Sequence, residues 1–405
     1  MKALWYRACH WLVARLYFER IAVVHPGRLP APGPTLYVVL HRNGAVDGVV
    51  YRQVLPRAVP VISTQLRRSF FARLFFCGIA VARRQDPEDG RSNAEALREC
   101  VDRLAGGGEI LIFPEGTSAL GPRHLPFKSG AARLALDALA RGVPLRIVPL
   151  GIHYERAWGF RSRVEAVVGE PVATEFPSGL GEPGRMGEMK ARVRVALEAV
   201  GVNFHSVEAQ ELAERIANTA VFEPSGSYFG TLKALERGVP EPLSAEWRNL
   251  AAALAGRRVL RFQGVPLFPA TSWFLDAGWL LFLGPVVLSG ALANLPPLLL
   301  GWIAGRCLAD GPNVIALWRL LVGLPVFVLW TGAVVLGLGG LAGWWWGLGH
   351  VALTVAALQA LYGVKKRTVA VWNGMAHRDL VPRARAWRDR VRRTASPTRD
   401  EGLTP

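Results

Sequence analysis

Two long apolar stretches occupy the C-terminal half of the chain. Residues 277–305 and 320–364 contain no Asp, Glu, Lys or Arg, and each is longer than the roughly 20 apolar residues that a helix needs to cross a bilayer. The segment 294–297 (NLPP) breaks the first stretch, and the glycine-rich segment 337–343 breaks the second. The pattern predicts an all-α transmembrane region over residues 264–368, built from two helical hairpins.

The preceding part of the chain has a different pattern, in which short apolar segments alternate with helical ones. The predicted strands are 35–40, 109–113 and 145–152, and the predicted helices between them are 92–104 and 130–140. Strands that alternate with helices are typical of an α/β sheet. An α/β domain is therefore predicted over residues 25–205.

Three further segments flank these two regions. Residues 1–24 carry tryptophans and leucines near helical spacing with arginines between them, which predicts an amphipathic helix at the membrane surface. A helix packed on the α/β domain fits the same pattern equally well. Residues 206–263 are predicted to form a helical bridge. Residues 369–405 form a basic tail, which the positive-inside tendency places in the cytoplasm.

Composition narrows the classes of protein further. The chain has 405 residues, of which 51% are apolar, and it is too apolar to be disordered. Its four scattered cysteines lack metal-ligand or disulfide spacing, so no metal is expected. The formal charge of +17 suits an anionic partner such as membrane lipids or a phosphorylated substrate. Nucleic acid is not an expected partner, because the apolar runs are long and no nucleic-acid-binding motif is present.

The first candidate site follows the predicted strand 35–40. That strand runs directly into His41, and Asp47 follows six residues later. A carboxylate that hydrogen-bonds one ring nitrogen fixes the histidine tautomer and leaves the other nitrogen free to take a proton. The spacing therefore predicts a general base with its orienting carboxylate, although solvated polar residues in a loop would give the same pattern.

Three more blocks place polar residues near strand ends. The turn 113–118 (FPEGTS) brings a carboxylate and hydroxyls to the carboxyl end of a strand, where α/β sheets bind their ligands. The block 78–86 brings Arg83 and Arg84 to a strand end, and arginine suits bidentate phosphate contacts. The block 125–133 sets Lys128 just before a helix start, which itself favours anions.

Taken in this order, the blocks resemble the glycerolipid acyltransferases, the superfamily of glycerol-3-phosphate and 1-acylglycerol-3-phosphate acyltransferases. The resemblance covers about residues 24–172 and includes a final block at 143–149 (VPLRIVP). Five residues, not four, separate His41 from Asp47. The pattern H-x-N-x-x-V-D is closer to the fungal-type glycerol-3-phosphate/dihydroxyacetone-phosphate acyltransferases. The segments 82–86, 160–163 and 316–321 point to the same branch.

The resemblance implies a fold, a reaction and a set of site residues. It implies a mixed sheet with flanking helices, and a reaction in which His41, oriented by Asp47, deprotonates the acceptor hydroxyl. The oxygen then attacks the thioester of acyl-CoA or acyl-carrier protein, which is the co-substrate, and no cofactor is expected. The usual arginine after the FPEGT block is replaced by Ser118. The residues expected to bind the acceptor are Asn43, Arg84, Glu115, Gly116, Thr117, Lys128, Arg161 and Arg163.

The expected protein is thus an integral enzyme of the cell membrane in phospholipid synthesis, with its catalytic domain in the cytoplasm. Glycerol 3-phosphate is the favoured acceptor, with dihydroxyacetone phosphate beside it, and 1-acylglycerol 3-phosphate or another lysophospholipid is the alternative. A rival of another class is a non-catalytic lipid-binding scaffold. The His41–Asp47 pair favours the enzyme, since a binding module needs no base.

Overall fold

The fold of the N-terminal half is a seven-stranded sheet with helices on both faces. In a computed structural model, residues 2–68, 73, 75–82, 93–221, 226–269 and 273–395 are described. The strand order is β1-β7-β6-β2-β5-β3-β4. The strands are β1 Phe18–Val24, β2 Thr35–Val39, β3 Val59–Ser63, β4 Ile79–Val81, β5 Glu109–Ile112, β6 Arg146–Tyr154 and β7 Ser162–Val168. Neighbouring strands are parallel except β6 and β7, so the sheet is mixed, as expected.

Strand β2 lies at the centre of the sheet, and both of its faces are covered. Leu36 and Val38 point into one hydrophobic cluster, whereas Tyr37 and Val39 point into the other. Burial on both faces explains why the strand is a continuous apolar run instead of an alternating one. It also means that the polar residues directly after β2 emerge at the carboxyl edge of a rigid core.

Fourteen α-helices are described along the chain. In the N-terminal half they are α1 Lys2–Tyr17, α2 Val46–Val54, α3 Thr64–Arg68, α4 Asn93–Ala105, α5 Gly130–Ala140 and α6 Glu182–Val200. In the predicted bridge they are α7 Val207–Ala220, α8 Tyr228–Leu235 and α9 Glu241–Leu254. In the C-terminal part they are α10 Trp273–Ala293, α11 Leu295–Cys307, α12 Ile315–Ala342, α13 Trp344–Ala376 and α14 Val381–Ala395.

The helix predicted over residues 1–24 is wrong in its second half. Helix α1 ends at Tyr17, and Phe18–Val24 forms the edge strand β1, which pairs in parallel with β7. The β-branched and aromatic residues of this segment suit a strand, but the near-helical spacing upstream hid the change of element. Within the predicted basic tail, residues 381–395 form helix α14.

Helices α10, α12 and α13 are each long and apolar enough to cross a membrane, judged by length and composition. Helix α11 has 13 residues and is therefore only about 20 Å long, short of a roughly 30 Å hydrocarbon core. Both hairpins return to the head, because the loop after α11 contacts Ser118 and the end of α13 packs at Gly374 against Pro269. The two hairpins stay a prediction, and helix α11 is too short to span the bilayer.

A buried polar cluster joins the sheet to helix α13. Glu155, at the end of β6, accepts hydrogen bonds from the Tyr362 hydroxyl at 3.2 and 3.4 Å. The guanidinium of Arg163 lies 4.3 Å from the centre of the Tyr362 ring and is bonded to Glu19 at 3.0 Å. Burial raises the pKa of Glu155 to about 7, partly opposed by the charge of Arg163. The Glu155 carboxyl therefore stays protonated to a higher pH in the folded protein than an ordinary glutamic acid does.

This cluster predicts a loss of stability with rising pH. Because the pKa in the folded protein is above the ordinary glutamic acid value of 4.5, the Glu155 contribution to stability is fully present below about pH 4.5 and is lost as pH rises through about 7. A shift of this size corresponds to about 3 kcal/mol. We expect the melting temperature of the detergent-purified Glu155→Gln protein to change less between pH 5 and pH 8 than that of the wild type. Glu198→Gln, at an exposed site on α6, should leave the wild-type slope unchanged, and equal slopes in all three proteins would contradict the assignment.

Candidate active site

His41 and Asp47 form a hydrogen-bonded pair at the carboxyl end of β2. The Nδ1 atom of His41 lies 2.8 Å from Oδ2 of Asp47. A buried carboxylate accepts hydrogen bonds, so Nδ1 carries the proton and Nε2 is left as the basic nitrogen. The His41 side chain is 16% exposed and the Asp47 side chain is fully buried. The base is therefore accessible while its orienting partner is not.

Asp47 is held by more than the histidine. Its Oδ2 also accepts from the backbone N–H groups of Arg42, at 2.6 Å, and Asn43, at 2.8 Å. The hydroxyl of Tyr154 donates to Oδ1 at 2.6 Å. Asp47 lies in the first turn of α2, where the helix dipole favours a negative charge. These contacts fix the carboxylate before any substrate binds.

Glu115 organises the backbone of the site. It is buried, and its two carboxylate oxygens accept from the backbone N–H of His41, at 2.9 Å, and of Leu125, at 3.2 Å. Burial raises its pKa. The sequence predicted an acceptor-binding role for Glu115, whereas the structure shows that it ties the 113–118 turn to the histidine loop and to the segment before α5.

Three of the predicted acceptor residues share a cavity with His41. Gly116, Thr117 and Lys128 line it together with the imidazole. Gly116 has φ +70°, and a Cβ at this position would lie 2.5 Å from Nζ of Lys128. The positive φ favours a glycine at this position, and the Lys128 side chain lies directly beside it. The ammonium group thus lies at the turn that follows β5.

The cavity has a volume of about 1410 Å³. Its wall is largely apolar and comes from β3, α3, α4 and the ends of β5 and α5. The apolar residues on this wall are Leu55, Val61, Ile62, Leu66, Phe76, Leu97, Leu111, Ile112, Phe113 and Leu134. A large, mainly apolar chamber that also carries polar groups is typical of a site for an amphiphilic ligand.

Asn43, Arg161 and Arg163 do not line the cavity, and the prediction that they bind the acceptor does not fit their contacts. Asn43 is buried and donates to the carbonyl of Ala157 at 2.6 Å. Arg161 donates to the carbonyl of Phe18 at 2.6 Å, and Arg163 is paired with Glu19 as described above. The two arginines therefore brace β1 against β7. Arg84 lies outside the described residues.

Sequence reasoning missed two cations and one loop. Arg52, on α2, and Arg133, on α5, line the same cavity. Arg133 lies in the first turn of α5, five residues after Lys128 and within the block 125–133, so its position in that block was the available signal. Nothing in the sequence marked Arg52. The loop after α11 also enters the wall, through Asp310, Gly311 and Asn313.

Asn313 connects this loop to the turn formed by residues 113–118. Its Nδ2 donates to Oγ of Ser118 at 2.8 Å and to the Ser118 carbonyl at 3.1 Å. A Cβ at Gly44, three residues after His41, would lie 3.1 Å from the Asn313 carbonyl. The C-terminal helical region therefore forms part of the site's rim and holds Ser118 in place.

We expect Asn313→Ala to lower kcat/KM by about 5- to 150-fold, since two hydrogen bonds worth about 0.5–1.5 kcal/mol each are lost. Ser118→Ala should cost only about 2- to 12-fold, because the bond to the Ser118 carbonyl remains. The measurement is steady-state acyl transfer at equal amounts of folded protein. Equal losses in the two variants would mean that the contact to the backbone of the turn does not matter.

Comparison with known proteins agrees with this geometry. Residues 20–153 match the family model described as Acyltransferase. The chain is 37% identical over 99 residues to glycerol-3-phosphate O-acyltransferase 2 of Saccharomyces cerevisiae, covering 24% of this chain and 12% of the yeast protein. It is 29% identical over 166 residues to 1-acyl-sn-glycerol-3-phosphate acyltransferase alpha of Mus musculus, covering 40% of this chain and 57% of the mouse protein.

A solved structure, the 1-acyl-sn-glycerophosphate acyltransferase PlsC from Thermotoga maritima, aligns with a TM-score of 0.34 at 21% identity, over 49% of this chain and 76% of that one. The matches span 12% of the yeast relative and 57% of the mouse relative, less than two thirds of either protein. The resemblance seen in the motif blocks is confirmed at the level of the superfamily.

Proposed function

We propose that this chain, in which residues 20–153 are an acyltransferase domain of the glycerolipid type, transfers a fatty acyl group from a thioester to a hydroxyl of glycerol 3-phosphate. The observation that carries the proposal is the His41–Asp47 pair, whose accessible imidazole opens onto a large apolar cavity with cations beside it. A base supplies the nucleophile, the apolar wall accommodates an acyl chain, and the cations suit a phosphate.

The proposed reaction has two proton transfers at one nitrogen. The Nε2 atom of His41 takes the proton of the acceptor hydroxyl as its oxygen attacks the thioester carbonyl. The tetrahedral intermediate collapses, the carbon–sulfur bond breaks, and the imidazolium returns the proton to the departing thiolate. The products are an ester and a free thiol, from acyl-CoA or acyl-carrier protein. Asp47 keeps Nδ1 protonated and stabilises the imidazolium throughout.

The phosphate of the acceptor is assigned to the cations of the cavity. Among the described residues of the wall these are Arg52, Lys128 and Arg133. Lys128 is exposed and its ammonium lies at Gly116, in the turn that also contains Thr117. Lysine binds phosphate as a point charge, and arginine binds it with a fork of donors. These three cations would bind the phosphate in place of the motif arginine, whose position is occupied by Ser118 in this chain.

A second acceptor, 1-acylglycerol 3-phosphate, is favoured by a separate observation. The loop that carries Asp310 and Asn313 forms part of the cavity wall and connects two apolar helices, α11 and α12. An acceptor with its own acyl chain could therefore approach along these helices. The matched relatives carry names of both activities, and the H-x5-D spacing favours the acceptor without an acyl chain.

The deciding experiment is turnover by the detergent-purified full chain. Oleoyl-CoA is offered with radiolabelled glycerol 3-phosphate and, separately, with 1-oleoylglycerol 3-phosphate. We expect faster transfer to glycerol 3-phosphate. Transfer to the monoacyl acceptor alone would overturn this choice. Absence of transfer to either acceptor from both oleoyl-CoA and oleoyl-acyl-carrier protein would favour the lipid-binding scaffold.

We also propose that the chain is integral to the cell membrane with its head in the cytoplasm. The three spanning candidates and the basic residues at 365–367 support this orientation. Cys307, which is exposed at the end of α11 on the head side, gives a direct readout. A membrane-impermeant maleimide should label it in inverted vesicles and leave it unlabelled in intact cells, and the opposite result would reverse the orientation.

A further inference from the structure

A second, smaller cavity lies where helices α10 and α13 reach the head. Its volume is about 220 Å³, below the roughly 300–1,000 Å³ of sites for drug-sized ligands. It is separate from the cavity at His41 and shares no lining residue with it. The polar residues that line it are Thr219, Asp276, Lys366, Arg367, Arg385, Trp387 and Arg388.

The charge of this lining is strongly unbalanced. Lys366 and Arg367 come from α13, and Arg385 and Arg388 come from α14, which packs across the head. The one acidic residue in the lining is Asp276, and it lies 3.4 Å from Nε of Arg367. The described lining therefore carries a formal charge of +3, within a space of a few ångströms. Such a cluster favours an anion with several acceptor oxygens.

Trp387 adds a hydrogen-bond donor that the described residues leave without an acceptor. It is buried, and among the described residues no acceptor lies within hydrogen-bond distance of its Nε1 atom. Its ring packs on Trp247, with 5.3 Å between the ring centres. A buried donor without a partner costs about 1–3 kcal/mol, and an oxygen of a bound anion would remove that cost.

The position of the pocket along α13 indicates where the anion comes from. Residues 344–364 of that helix carry no charge, and Lys366 and Arg367 follow directly. The guanidinium of Arg367 also lies 4.2 Å from the ring centre of Trp279 on α10. Cations and tryptophan at the ends of apolar helices mark the headgroup level of a bilayer. Along helix α13, the pocket therefore lies at the depth of the lipid phosphates in the bilayer.

We propose that this pocket binds the phosphate of an anionic phospholipid from the leaflet beside the head. The volume suits a headgroup, and the acyl chains would remain along the apolar surface of α10 and α13. The bound phosphate would join the membrane helices to α14, which contacts the bridge helix α9 through Trp387 and the Arg390–Glu246 pair. The site is independent of the acyl-transfer proposal.

The test uses a lipid that is neither the acceptor nor the product of the proposed reaction. Dioctanoyl phosphatidylglycerol is titrated into the detergent-purified full chain, and its apparent Kd is taken from the rise in melting temperature. We expect the Arg385→Gln/Arg388→Gln double variant to bind at least tenfold more weakly. The Arg383→Gln/Arg393→Gln double variant removes two exposed arginines from the same helix and should bind within twofold of wild type.

Three results would overturn the proposal. They are equal weakening in the two double variants, equal binding of dioctanoyl phosphatidylcholine by the wild type, and an equal rise in melting temperature with inorganic phosphate alone. The last would make the pocket a site for a free anion. If the Arg385→Gln/Arg388→Gln variant does not fold, Lys366→Gln takes its place with an expected weakening of at least threefold, and an unchanged Kd in that variant would equally reject the site.

Discussion

Replacing His41 with alanine is expected to abolish most acyl transfer, lowering kcat by about 10²- to 10⁴-fold. The imidazole is the basic group that the Asp47 carboxylate orients, and no other described histidine shares that contact. The side chain is partly exposed, and the hydrogen bond that ties this residue to Glu115 comes from its backbone N–H. The variant should therefore keep its fold, so that the loss of rate reports on the base.

The matched control is His205→Ala, because His205 is exposed and lies outside the cavity wall. It should retain activity within about twofold of wild type. Asp47→Asn is a poorer test, since the Asp47 side chain accepts four hydrogen bonds and an amide would present donors to some of them. A His41→Ala protein that melts like wild type and still transfers acyl groups at more than a tenth of the wild-type rate would exclude His41 as the base.

The parts of this site that the sequence predicted are those set by local chain geometry. His41 and Asp47 are six residues apart, and a strand end followed by a helix start brings them together. The strands near 35–40, 109–113 and 145–152 were recognisable because each is buried on both faces and is therefore mostly apolar. The apolar runs of the C-terminal half were predictable because each continues for more than 20 residues without Asp, Glu, Lys or Arg.

The parts that were missed depend on contacts across the fold. Asn43 stands in the motif beside His41, yet its amide bonds to Ala157, more than a hundred residues away. Arg161 and Arg163 follow a family-like segment, but the edge strand β1 that they brace was predicted as helix. The contact of Asn313 with Ser118 spans 195 residues. No periodicity or spacing in one sequence encodes such pairs.

The second large effect is expected at Lys128, the ammonium group assigned to the acceptor phosphate. Lys128→Gln should raise KM for glycerol 3-phosphate by about 10- to 150-fold, because a hydrogen bond to a charged group contributes about 1.5–3 kcal/mol. The effect on kcat at saturating acceptor should be smaller than fivefold, since His41 and Asp47 are unchanged. KM for oleoyl-CoA should move by less than threefold if the lysine contacts the acceptor.

Two comparisons make this result specific. Lys190→Gln removes an exposed lysine from α6, far from the lining residues, and controls for the overall positive charge that attracts any anionic substrate. Lys128→Arg keeps the charge but enlarges the group beside Gly116, where the lysine already lies close to the backbone. Lys128→Arg should recover only part of the affinity for glycerol 3-phosphate, because the larger arginine side chain has little space beside Gly116. A Lys128→Gln protein with unchanged KM for glycerol 3-phosphate would move the phosphate to Arg52 or Arg133, the other described cations of the wall.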